Sequence, residues 1–492
     1  MLSLPLDHEV FRSKPFAAVE EAARRAATPI YLVGGFWRDA ILGRSKGTWD
    51  LDFCLPGGAL AFGQRVARSL RAPFVVLDKD RGCGRLVCRR PRDGEAATFD
   101  FIDFRGKDLS QDLKRRDFTI NTLAWALPLG RHRIVDPLGA MRDLQRKVIR
   151  VAGRRAFDED PLRILRAYSL SALLGFRIEA PTRVLMRKKK GLLRRTAGER
   201  LRDELFKILG TREAARFLKV MDADGVLAEV IPQVRLMHHV KQGGYHHLDV
   251  WGHSLETVRK LEDVLEKMCS LHPDLPAYLE EPLAADRKRY QLMKLAALLH
   301  DIGKPEAFEV KAGKTMFHGH ERIGRVICKD VTRRLKLATR EREALDTLIF
   351  WHLRPGYLAD NKVLTPRAVY RYLRDTGTEA VSVLLLAVAD QRATRGPLAS
   401  AANRRRHEKV AFDLTRRYFD KRKEKPFVRL INGHDLIKRL RLTPGPSFSG
   451  ILASVEEAQV EGRVRTKAQA LAWAKKAAAR YASGETKREE RT

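Results

Sequence analysis

Three groups of residues have the types and spacing for chemistry, and the first lies in GGFWRDAILGRSKGTWDLDF, from Gly34 to Phe53. Gly34 and Gly35 follow the apolar residues Ile30, Tyr31, Leu32 and Val33, which predicts a strand ending in a tight turn where glycine lets backbone approach a ligand. Asp50 and Asp52 stand one residue apart, so on a strand both carboxylates point to the same face. Two hard oxygen ligands side by side suit magnesium carrying a substrate phosphate. Asp100, in ATFDFIDFRG, is a third candidate acid on the same sheet; Asp103 is its rival, placed on the opposite face by its odd offset. In KRRDFTINTLAW, Arg115, Arg116, Asp117 and Asn121 stand at the expected entrance to a helix. Guanidinium groups suit phosphates, while Asp and Asn hydrogen-bond a ribose or orient those arginines.

The second group is Glu159-Asp160-Pro161-Leu162-Arg163, within DEDPLRILRAYSLSALLGF, which reads as one helix. Pro161 fits a first turn, and Asp160 and Arg163, three apart, share a face. An acceptor beside a donor matches the amino group and ring nitrogen of adenine or cytosine. Uracil and guanine would leave buried polar groups unpaired. An ordinary helix-start acid with an i,i+3 ion pair is the plain alternative.

The third group is spread through a histidine-rich middle: His253, His300-Asp301 in LLHDIGK, His320, His352 and Asp390. Adjacent His-Asp at the polar end of an apolar helix, with distant His and Asp completing the set, makes an N/O site for a divalent transition metal.

The elements that must position these groups change along the chain. From Ile30 to Val151 the pattern is α/β, and from Phe157 onward it is helical. The expected domains are a head at 28–151, a helical neck at 152–235, a histidine-bearing body at 238–400 and a helical tail at 427–482, with a disordered end from Ser483. The basic run Arg187–Arg195 serves either as a solvated helix end or as a grip on backbone phosphates. With 95 Lys+Arg against 61 Asp+Glu, the 492 residues carry +34, which points to a polyanionic partner, nucleic acid ahead of membrane. No apolar run approaches the ~20 residues that cross a bilayer. Five scattered cysteines without a CxxC pair argue against a disulfide scaffold and for a reducing, cytoplasmic setting.

The ordered set GGFWRD…DLD, RRDFTIN, EDPLR and AGERLRDEL resembles the class II tRNA nucleotidyltransferase and bacterial poly(A) polymerase family. The resemblance implies an α+β fold: a polymerase-β-like head with a mixed sheet, then helical neck, body and tail. It implies that Asp50 and Asp52 hold Mg2+, with Asp100 as third acid. Gly34, Gly35 and Arg38 would cradle the triphosphate. Arg116, Asp117 and Asn121 would place sugar and phosphates, Asp160 with Arg163 would read the base, and Arg166 would also bind the nucleotide. The partners implied are a tRNA 3′ end, ATP and CTP. Full CCA-adding members carry a long flexible loop before RRDFTIN, whereas here only Gly106 to Lys114 intervene, which keeps A-addition alone open. The middle resembles the HD phosphohydrolase superfamily, whose signature is HDIGK. That implies a Mn, Ni, Co or Mg ion on His253, His300, Asp301 and Asp390, with His320 and His352 as further candidates and Lys304 as phosphate partner. Three readings follow: a tRNA 3′-end nucleotidyltransferase, or a poly(A) polymerase; an HD hydrolase of RNA ends; and a non-catalytic RNA-binding protein.

Overall fold

The computed structural model describes residues 7–26, 28–44, 49–89, 96–128, 134–268, 270–361, 363–423 and 428–482. The chain divides into two compact units, residues 1–211 with 220–230, and residues 212–219 with 231–492. The expected disordered end from Ser483 lies outside the described residues.

The first unit is built on a mixed seven-stranded sheet. Its strands are β1 (Ile30–Val33), β2 (Trp49–Leu55), β3 (Phe74–Asp78), β4 (Cys83–Arg89), β5 (Ala96–Asp103), β6 (Ala124–Leu127) and β7 (Ile134–Val135), in the order β3-β4-β5-β2-β1-β6-β7. β2 and β5 run parallel at the centre, and β1 lies antiparallel on the other side of β2. Alternation decides which face each side chain takes. Leu51, Phe53, Phe99 and Phe101 turn into the core, where the Phe53 and Phe101 rings stack 5.2 Å apart. Asp50, Asp52 and Asp100 turn the other way. Asp103, at the odd offset, points back and accepts the Ala59 amide at 2.8 Å, fixing the start of the helix Ala59–Leu70.

Two expectations are corrected. The helix expected near Thr119 is a single 3-10 turn, Thr119–Asn121, followed by β6, which pairs with β1. Trp125 on β6 stacks on Trp37 at 5.2 Å, so tertiary pairing overrides the local helical pattern. The segment DEDPLRILRAY is not one helix. It breaks between Ala156–Glu159 and Leu162–Leu174, because proline pushes the residue before it out of the helical region. Asp160 accordingly has φ −148° and ψ 99°.

The second unit is helical. Ala380–Ala393 is buried over most of its length, and Val250–Met268, Arg289–Leu299 and Thr339–Trp351 pack around it. Toward the C-terminus, Gly433–Leu440, Ser447–Val460 and Lys467–Ala482 share a small core of Leu436, Ile451, Val455, Ala470 and Ala474. Among the described residues no helix is long and apolar enough to cross a membrane.

The turn after β1 is the tightest constraint in the sheet. Gly34 has φ +94°, and a Cβ there would lie 2.4 Å from Asp52 Oδ2. Gly34→Ala is therefore expected to destabilise the first unit by about 1–3 kcal/mol. The check is a lower midpoint of that unit's thermal transition.

Candidate active sites

The first site assembles on one face of the sheet. Strand register sets Asp52 beside Asp100 across β2 and β5, and beside Val33, the last residue before Gly34, across β1 and β2. Asp50 accepts the Thr98 hydroxyl at 2.7 Å. Asp100 is held by Arg85 of β4 through two bonds of 2.7 Å, and the pairing raises the Arg85 pKa. Burial pushes Asp52 up to about 6, with Asp50 and Asp100 adding to the shift and Arg116 and Arg166 opposing it. Carboxylates crowded this way fit a divalent cation, which reverses the cost of charging them.

Behind the acids runs a chain of oriented polar groups. Arg38 grips Asp39 through two 2.8 Å bonds and donates to Asn121 Oδ1 at 2.7 Å. Asn121 donates to Asp117 at 3.0 Å, and Arg166 meets the other Asp117 oxygen at 3.0 Å. Burial opposes the charge on Asp117, but Arg166, Asn121 and the Phe118 amide hold it below the usual carboxylate range. Gly35 closes the same turn: a Cβ there would come 3.2 Å from Arg38 Nη2. Arg116 reaches Asp112 at 3.3 Å, within the helix Leu109–Lys114 that fills the short interval before RRDFTIN.

The expected Asp160–Arg163 pairing differs. Because Asp160 sits outside the helix, its carboxylate takes two bonds from Arg200, at 2.8 and 3.2 Å. Arg163 Nη1 anchors on the carbonyls of Arg116 and Ala156, each at 3.2 Å. Asp160 and Arg163 are near neighbours with separate partners. Sequence reasoning missed Arg85, Thr98 and Arg200; Arg200 lies within AGERLRDEL, and its periodic position gave no sign of its partner.

The second site lies in the helical unit, where five helices bring His253, His300, Asp301, His320, His352 and Asp390 together. Asp301 is central. Its Oδ2 faces His300 Nε2 at 3.1 Å and His253 Nε2 at 3.7 Å, and its Oδ1 faces His320 Nε2 at 3.3 Å and His352 Nε2 at 3.8 Å. His253 Nε2 also meets Asp390 at 2.9 Å. The donor atoms form two sets, one of His253, His300 and Asp301 and one of Asp301, His320 and His352, each within 4.8 Å.

The rings are oriented alike. His300, His320 and His352 each place Nδ1 against the carbonyl three residues earlier, at 2.9, 2.8 and 2.7 Å. That bond turns Nε2 of each ring toward Asp301, the arrangement of a metal-ligating histidine. His300 Nε2 and Asp301 Oδ2 are buried, and neither makes a well-angled hydrogen bond. Burial drives His352 down to about 3, so the ring is neutral as a ligand must be. Lys304 ties Asp301 at 2.7 Å and Gln242 at 2.7 Å. His246, which sequence reasoning did not single out, packs edge-on against His253 at 4.6 Å and is likewise pushed down to about 3 by burial. A cleft of about 160 Å³ opens beside the cluster, with His352, Asp390, Tyr357, Gln391, Asp360 and His407 in its wall.

A sheet bearing a glycine turn and in-register acids, joined to a helical unit with a His-Asp cluster, defines a nucleotidyltransferase head with an HD domain. The family models agree: Poly A polymerase head domain at residues 30–150, the polymerase A RNA- and SrmB-binding site at 175–237, HD domain at 250–395 and tRNA nucleotidyltransferase domain 2 at 421–474. The chain is 33% identical over 452 residues to the A-adding tRNA nucleotidyltransferase of Deinococcus radiodurans, covering 90% of this chain and 94% of the relative. It is 30% identical over 449 residues to the CC-adding tRNA nucleotidyltransferase of Thermus thermophilus, covering 90% and 92%. The fold matches the Thermotoga maritima CCA-adding enzyme complexed with tRNA, with a TM-score of 0.60 at 24% identity over 96% of each chain. The chain belongs to the tRNA nucleotidyltransferase family.

Two measurements check the site chemistry. A cation at Asp52 would meet it only as the carboxylate, so protons would compete below about pH 6. Magnesium affinity of the first site should fall about tenfold from pH 7 to pH 5, followed by titration calorimetry. At the second site Asp301 serves both donor sets. Asp301→Asn should remove more bound manganese per chain than His320→Ala, read by elemental analysis in an Asp50→Ala, Asp52→Ala background.

Proposed function

We propose that the head adds nucleotides to a tRNA 3′ end without a nucleic-acid template, using ATP or CTP. The observation that carries this reading is the register that sets Asp52 beside Asp100 and next to the Gly34 turn. Magnesium held by Asp50 and Asp52 would activate the RNA 3′-hydroxyl and stabilise the departing pyrophosphate. Asp100 joins the ligand set where Arg85 gives way. Gly34 and Gly35 let the triphosphate approach the backbone, and Arg38, fixed by Asp39 and Asn121, donates to it. Arg116 and Arg166 offset phosphate charge, and Asp117 with Asn121 holds the ribose. Asp160 supplies the acceptor for the base amino group, steadied by Arg200, and Arg163 supplies the donor.

The short Gly106–Lys114 interval and relatives named for A-adding and CC-adding activity support partial rather than complete CCA synthesis. The +34 charge fits an RNA substrate handled in the cytoplasm. The HD cluster supports a second activity, metal-dependent hydrolysis of phosphate esters at RNA ends. Its single shared acid, Asp301, between two histidine pairs favours two ions over one. A poly(A) polymerase remains the competing reading for the head.

Purified protein incubated with tRNA ending in CC, or lacking CCA, tests the head. A single A added to the CC end is the expected product; CTP incorporation shows CC-adding capacity, and long adenylate tails establish poly(A) synthesis instead. Asp50→Ala with Asp52→Ala should lower nucleotide addition by at least about 1000-fold while RNA binding survives, since two-metal stabilisation supplies several kcal/mol.

A further inference from the structure

The metal cluster holds ligands and a phosphate partner, but its histidines are poorly placed to protonate a leaving group. His300, His320 and His352 commit Nδ1 to backbone carbonyls and aim Nε2 at Asp301. Lys304 is tied to Asp301 and Gln242. Hydrolysis of a sugar phosphate expels an alkoxide, which needs a proton as the bond breaks.

His407 lines the same cleft as Asp390 and His352. It belongs to the helix Ala401–Lys423, beyond residues 250–395 that match the HD model. Its Nε2 meets Asp360 Oδ1 at 2.9 Å, and Arg406 Nη2 meets the same oxygen at 2.8 Å. The carboxylate accepts, so the ring donates its Nε2 proton and Nδ1 is the working atom. Nδ1 is buried and has no hydrogen-bond partner among the described residues. Gly356 packs beside it: a Cβ there would meet Cε1 at 3.7 Å and Nδ1 at 3.9 Å, ordinary contact distances. An oriented imidazole with one nitrogen anchored on a carboxylate and the other bare is the arrangement of a general acid–base.

We propose that His407, oriented by Asp360, donates the proton to the leaving oxygen of a phosphate monoester at an RNA 3′ end bound in this cleft. This rests on the hydrolytic reading of the HD cluster. A water oxygen forms the new bond to phosphorus and its proton passes to solvent. The bond from phosphorus to the ribose oxygen breaks, and that oxygen takes its electron pair and the Nδ1 proton of His407 in its imidazolium form, leaving the neutral ring with its proton on Nε2 toward Asp360. Solvent then restores the proton to His407.

The leaving group tests the assignment with the full chain in manganese, nickel or cobalt. His407→Gln is expected to lower kcat at least about 100-fold on RNA ending in a 3′-phosphate. On p-nitrophenyl phosphate, whose leaving phenolate needs no proton, it should change kcat less than threefold. Asp360→Asn should show the same selectivity with a smaller loss. Equal losses on both esters, or none on either, would overturn the role of His407 and leave the hydrolytic reading standing. A wild-type chain that cleaves neither ester overturns both. In metal-free protein, nitrogen NMR of labelled histidine gives an independent reading: neutral His407 should carry its proton on Nε2, and an Nδ1–H tautomer contradicts the proposal.

Discussion

Carboxylates withdrawn from water must be met by positive charge, and both centres of this protein are arranged around that requirement. In the head, Asp50, Asp52 and Asp100 share one face of the sheet. Arg85 occupies Asp100, and the residual burial shows as the raised pKa of Asp52. In the helical unit Asp301 is buried among four imidazoles and an ammonium, and Asp390 is held low by His253 and His300 although burial opposes it. In each centre a cation or a phosphate-bound metal would lower a cost the fold already carries.

The two centres reach that state by different means. In the head, precision comes from the hydrogen-bond ladder of a sheet. A one-residue slip of β2 would turn Asp50 and Asp52 into the core and Phe53 out of it, so burial of Phe53 against Phe101 enforces the position of the acids. In the HD unit His300, His320 and His352 lie at the ends of helices, where histidine Nδ1 reaches the carbonyl three residues back. That local bond fixes each ring before any ion is present. Rigid elements make both sites preorganised, and burial keeps the His352 ring neutral in the second.

Much of this was legible along the chain because the key spacings are short. Asp50-Leu51-Asp52 declares its face through strand alternation, and the odd offset of Asp103 excluded it for the same reason. The Thr119 and Asp160 segments were misread because their local patterns are helical while their surroundings are not. β6 exists because β1 and β7 offer it partners, and Pro161 splits a run that otherwise reads as continuous.

The sequence by itself determined which residue types are available: the acid pair, the glycine turn, the His-Asp signature, the basic excess and the mixed head followed by helices. Those follow from local periodicity and composition, which need no knowledge of distant partners. Only the tertiary structure decided who meets whom. Arg85 lies 15 residues from Asp100, Arg200 lies 40 from Asp160, and Asp390 lies 137 from His253. Such pairings are set by strand order and helix packing, where burial of apolar faces fixes the backbone and the polar groups take the partners they find there.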